Sequence, residues 1–119
     1  MLIDIEGNPV RKTEWPVNRA GFVIHSAIHA AIPQAHCVMH THTTTGVAVA
    51  CLQAGLSPHN FYGAMLVGRV AYHEFEGVTV EAAEKERLVR DIGDKPAVIL
   101  RNHGLLAWGP SVPQAFLML

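Results

Sequence analysis

Between Ala97 and Trp108 two apolar runs stand on either side of a short polar turn: Ala97-Val98-Ile99-Leu100, then Asn102-His103-Gly104, then Leu105-Leu106-Ala107-Trp108. Nothing else in the sequence narrows the possible folds as much. A short, wholly apolar run bounded by turn formers reads as a buried strand. The Asn-His-Gly turn reverses the chain, and the second run becomes the partner strand, so a hairpin fits best. Gly109-Pro110 marks its exit.

The remaining elements follow from periodicity and caps. From Asn18 to Ala31, Ala20, Phe22, Val23, Ala27, Ile28 and Ala31 recur at helical spacing until Pro33 stops the run, which predicts a buried helix. Cys37 to His42 is short and partly alternating, as a strand would be. Thr43 or Thr44 then caps a helix from Gly46 to Gln53 that Gly55 terminates. Ala64 to Tyr72 reads as another strand. Thr79 caps a charged helix with Glu81 in its first turn, running on the outside of the fold to about Asp91. Ser111 stands three residues before Gln114, the spacing of a capping box, and opens a final helix. At the start, Leu2-Ile3-Asp4-Ile5-Glu6 alternates apolar and acidic residues into Gly7-Asn8-Pro9, a strand running into a turn.

A chain of 119 residues, 50% apolar, buries one modest core, so we expect a single domain over 1–119. The last helix reaches only about two turns, a marginal length, and the expectation is a fragment of a longer domain. Nine Lys plus Arg against ten Asp plus Glu leave a formal charge of -1 with no basic run, which disfavours nucleic acid and anionic membranes as partners. No apolar stretch is long enough to cross a bilayer, and Met1 to Pro9 carries acids where a secretory leader carries bases. A cytoplasmic protein is expected. Cys37 and Cys51 are too few for a disulfide framework and are expected to pack as small apolar groups.

Eight histidines against two Tyr and two Trp invite a search for ligand spacing. His40 and His42 are two apart at a strand end, where side chains at i and i+2 share a face. Their imidazoles can converge on one ion. Catalytic zinc takes three protein ligands and keeps a fourth position open. His103, in the Gly-terminated turn at a sheet edge, is the best third candidate. Taken alone, the same pair also reads as two hydrogen-bonded histidines in a half-buried strand, so both readings stand at this point.

The runs HSAIHAA, CVMHTHTTTGVAVACLQAGL, GRVAYHEFEG and ILRNHGLLAWG, in that order, resemble the class II aldolase/adducin family from about Asn18 to the end of the chain. The resemblance implies an α/β fold, a three-layer α/β/α sandwich with a mainly antiparallel central sheet. It implies a zinc ion on His40, His42 and His103, although imidazole also suits manganese, cobalt or iron. It implies a lyase or epimerase acting on a small hydroxy-carbonyl or sugar-phosphate compound through a metal-stabilised enediolate, in a homo-oligomer, mainly a tetramer.

Two departures qualify the catalytic expectation. Sugar-phosphate aldolases of this family carry a Glu one turn before the position of His25, where this chain has Gly21. Glu14 is the remaining acid/base candidate, and it reaches the site only if the intervening chain loops back. The phosphate-binding segments of those enzymes lie mostly before the part resembled. The wording of the motifs is nearer to the adducin-like branch, so the alternative is a non-catalytic binding or structural module that retains the metal site. Thr41, Asn102 and Tyr62 are the substrate-contact candidates. His25 and His29 share a helix face and are expected to be packed or hydrogen-bonded, His73 to be solvated at a strand end, and His36 and His59 to sit in loops.

Overall fold

The computed structural model describes residues 1–77 and 82–119. Helix α1 spans Arg19–Ala31, and the Oδ1 of Asn18 caps it by accepting the Gly21 N–H at 3.2 Å. Strand β1, Cys37–Thr41, leads to α2, Thr44–Ala50, capped by the Thr43 hydroxyl. Helix α2 ends at Ala50, earlier than the expected Gln53. Helix α3, Phe61–Met65, precedes strand β2, Val70–His73.

That stretch corrects the sequence reading, in which Ala64 to Tyr72 was a strand. Asn60 caps α3 by accepting the Gly63 N–H at 2.9 Å, so the chain turns helical before Ala64 and becomes extended only at Val70. The opening segment is also corrected. Leu2 to Glu6 forms one isolated bridge, Ile3 to Pro9, because the Asp4 carboxylate ties down the Glu6 and Asn8 N–H groups in a tight turn.

Helix α4, Ala82–Ile92, lies between β2 and strand β3, Ala97–Leu100. Its expected cap Thr79 and first-turn Glu81 lie outside the described residues. Parallel neighbours need a crossover connection, and α4 supplies it for the parallel pair β2 and β3. Strand β4, Gly104–Gly109, forms the expected antiparallel hairpin with β3 and also pairs antiparallel with β1. The sheet order is therefore β1-β4-β3-β2. The fold is α/β with a mixed sheet in which two pairings are antiparallel and one is parallel. Helix α5, Val112–Met118, starts at Ser111, whose hydroxyl accepts the Gln114 N–H and donates to the Gln114 side chain.

Helices cover both faces of the sheet. On one side Ile24 and Ile28 of α1 and Leu88 and Ile92 of α4 pack on Ala71, Val98, Leu100 and Leu106. Helix α4 exposes Glu86 and Arg90, while Glu84 is buried and Leu88 and Ile92, one turn apart, are each 1% exposed. Lys85 of α4 donates to the Ser26 hydroxyl at 2.9 Å and joins the two helices. On the other side α2 and α5 pack on β4, and α5 also on β1.

Candidate metal centre

The register of the sheet builds the site. In β1, His40 stands opposite Leu106 and Thr41 opposite Leu105 of β4, so the end of β1 runs beside the start of β4. The β3–β4 turn therefore lies against the chain that carries His40 and His42. His103 sits in that turn, and its N–H bonds to the Leu100 carbonyl at 3.1 Å. Asn102 takes a left-handed φ of 55°, a conformation Asn tolerates better than most residues, and its N–H is anchored on the Ala50 carbonyl. Gly104 follows, packed against the Thr41 backbone too closely for any side chain.

Three imidazoles meet there. The ring centroids of His40 and His42 are 4.4 Å apart, and each is 4.8 Å from that of His103. One nitrogen from each ring lies within 4.8 Å of the others. The Nδ1 of His40 is 2.9 Å from the Leu105 carbonyl, which can only accept, so Nδ1 carries the hydrogen and Nε2 is the free lone pair. That Nε2 is 2.8 Å from the Nε2 of His42, which donates to it. Nitrogens sharing a tetrahedral zinc stand about 3.3 Å apart at ordinary bond lengths, so the pair would open by only a fraction of an ångström.

The electrostatics favour the neutral form of His40 and His103. Burial pushes the His40 ring below the usual imidazole range, against the Leu105 carbonyl, with His42 adding to the effect. Burial also lowers His103, reinforced by His40 and His42. Half-buried His25 on α1 is lowered by burial and then by His40 and His29. Among the described residues no carboxylate belongs to the cluster, and three imidazole nitrogens fit the protein donor set of a catalytic zinc site.

The other expected residues are placed differently. Glu14 is exposed in the coil before α1 and makes no hydrogen bond or ion pair with the three histidines. Tyr62 is 77% exposed on α3, edge-on to Phe61. Thr41 ends β1 next to the ligand candidates, and Asn102 adjoins His103. His29 bonds through Nδ1 to the Ala35 carbonyl at 2.7 Å, the satisfied histidine expected from the sequence. His73 is a correction. It is 5% exposed rather than solvated, because Asp91 of α4 reaches it across the edge of the sheet. Cys51 is exposed and Cys37 half-buried, so neither is a core residue as expected.

The whole chain, residues 1–119, matches the family described as the class II aldolase and adducin N-terminal domain. The chain belongs to the class II aldolase/adducin family. This class II aldolase/adducin domain is 49% identical to an aldolase II superfamily protein from Pseudomonas syringae, with a TM-score of 0.93 over 98% of the chain and 47% of that protein. It is 33% identical to the L-fuculose 1-phosphate aldolase of Glaciozyma antarctica, with a TM-score of 0.79 over 98% of the chain and 46% of the enzyme. It is 44% identical to alpha-adducin of Rattus norvegicus, covering 96% of the chain and 16% of the adducin. The chain spans about half the length of its bacterial curated relatives, 45% of each. Among the described residues of this class II aldolase/adducin domain, no helix is long and apolar enough to cross a membrane.

Proposed function

We propose that the protein is a zinc-dependent, aldolase-like lyase or epimerase acting on a small hydroxy-carbonyl or sugar-phosphate compound, with His40, His42 and His103 as the metal ligands. The observation that carries this reading is the convergence of three ring nitrogens within 4.8 Å at a sheet edge, with no acidic residue in the cluster among the described residues. A divalent ion bound there supplies Lewis-acid polarisation of a substrate hydroxyl or carbonyl oxygen.

The chain's own residues supply the rest. The Leu105 carbonyl fixes the tautomer and tilt of His40. Burial of His40 and His103 keeps their lone pairs available at neutral pH. Thr41 and Asn102 flank the ligands and offer hydroxyl and amide groups to substrate oxygens. Glu14 remains the acid/base candidate if the segment before α1 folds over the site. A homo-oligomer in the cytoplasm belongs to the same reading.

A second reading is a non-catalytic, adducin-like module that keeps the metal site. The presence of Gly21 where the aldolases carry their acid favours it, as does the 44% identity to alpha-adducin.

Metal content by mass spectrometry, on protein purified without a histidine tag or chelator, tests the site. About one zinc per chain, lost in His40→Ala and His103→Ala, is the expected result. Folded parent protein that takes up no added zinc overturns it. Turnover of a hydroxy-aldehyde and hydroxy-acid panel by the full gene product, abolished by His103→Ala, then separates the lyase from the adducin-like module.

A further inference from the structure

His73 ends β2, is 5% exposed, and has no part in the chemistry proposed so far. Its Nδ1 is 2.8 Å from Asp91 Oδ2. Burial pushes the Asp91 carboxyl up, but hydrogen bonds from His73 and Arg90 more than offset this and hold it below the usual carboxylate range. An ionised carboxylate only accepts, so Nδ1 carries a hydrogen, and in the neutral ring Nε2 is then a lone pair. That Nε2 is buried and has no hydrogen-bond partner among the described residues. Buried acceptors are rarely left unmet in native proteins.

His73 lines a chamber of ≈ 10 Å³ together with Phe75, Glu76, Arg101 and His103. This is about the room one buried water needs. Glu76 Oε1 stands 3.9 Å from Nε2, too far for a direct bond, and a polar pair at such a separation is commonly bridged by water. Arg87 holds that carboxylate in place, its Nε donating to Oε1 at 2.7 Å. His103 lines the same chamber, and its ring makes no hydrogen bond among the described residues. A histidine that binds a metal through one nitrogen almost always donates the other N–H to an acceptor. For His40 that acceptor is the Leu105 carbonyl.

We propose that the chamber is a single-water site through which Asp91 and His73 orient His103. The water donates to His73 Nε2 and to Glu76 Oε1 and accepts the outward ring N–H of His103. Asp91 and His73 are then positioning residues, acting on the ion only through the water and His103. The inference rests on His103 being a ligand.

Zinc affinity by competition with a chelating dye tests it, on the parent, His73→Phe, His103→Ala and the double variant. His73→Phe should weaken binding about 10–100-fold in the parent, with circular dichroism unchanged. In the His103→Ala background the same change should leave affinity within about twofold, because the residue acted upon is gone. Unaltered affinity in His73→Phe overturns the proposal, as does an equal loss in both backgrounds, which signifies general loosening. Nitrogen NMR of ¹⁵N-histidine-labelled parent decides the matter if His73→Phe does not fold. Nε2 of His73 should show the shift of a hydrogen-bonded acceptor, and a free lone-pair shift overturns the water site. Parent protein without zinc uptake removes the ligand reading itself and leaves this NMR arm to judge the chamber.

Discussion

A Cβ placed on Gly104 would lie 2.4 Å from the carbonyl oxygen of Thr41, well inside any tolerable contact. It would also meet His42 Cδ2 at 3.0 Å and His40 Cε1 at 3.4 Å. The obstacle is largely backbone, so it cannot swing aside. Gly104→Ala is therefore expected to push β4 away from the end of β1 and to part His103 from the other two histidines. A stability loss of about 1–3 kcal/mol, measured by urea unfolding, should accompany loss of bound zinc. Parent-like zinc content in a folded Gly104→Ala protein would show that the close approach is not what assembles the site.

Acid should weaken the metal-free fold in two stages. His25, His40 and His103 are all held below the usual imidazole value of about 6.5 in the folded chain, chiefly by burial. As pH falls below 6.5 the unfolded chain takes up protons that the folded chain refuses, so stability drops until the folded rings also protonate. Asp91 and Glu76 shift downward from 3.8 and 4.5, and their contribution, present above those values, is lost as pH falls through the folded pKa. Denaturant midpoints between pH 7.5 and 3, with chelator present, should fall in both windows. A flat profile from pH 7.5 to 5.5 would contradict the histidine stage.

Gly21 occupies the third helical position after the Asn18 cap, and a Cβ there would meet nothing nearer than Asn18 Cγ at 3.8 Å. Gly21→Glu should fold and should stabilise α1 by about 1 kcal/mol, since it replaces glycine in a helix and completes a capping box. It also restores a carboxylate one turn before His25. On the lyase reading, exchange of substrate α protons should rise in this variant, and unchanged exchange would leave the enlarged stability as its only effect.

Core and surface should respond in opposite ways to truncation. Leu106 is 1% exposed and in contact with helices and strands of the main core, so Leu106→Ala is expected to cost about 2–5 kcal/mol. Phe61 is 75% exposed, and Phe61→Ala should stay within about 0.5 kcal/mol. Thermal unfolding of the two variants checks the contrast, and a large loss at Phe61 would reveal a packing role for α3.

Much of this architecture was legible because its signals are local. The helical spacing after Asn18, the Pro33 stop, the Ser111 capping box and the Asn102-His103-Gly104 turn each act within a few residues, and α1, α5 and the hairpin came out where they pointed. The Asn60 cap was equally local but went unread, since the β-favouring stretch after it masked a helix of one turn. The placement of His40, His42 and His103 followed from strand parity and family motifs together. His73 could not be read that way. Its burial depends on Asp91, 18 residues further on, and on a helix folding back over the sheet.

The hydrogen bond between His40 and Leu105 joins residues 65 positions apart in the chain. Contacts of such separation carry a high closing entropy and form late compared with helices and hairpins. The three histidines are thus split between two stretches that meet only once β4 has docked on β1. Zinc uptake in a refolding experiment should lag the recovery of helical signal, which would make the ion a clock for the closing of the sheet.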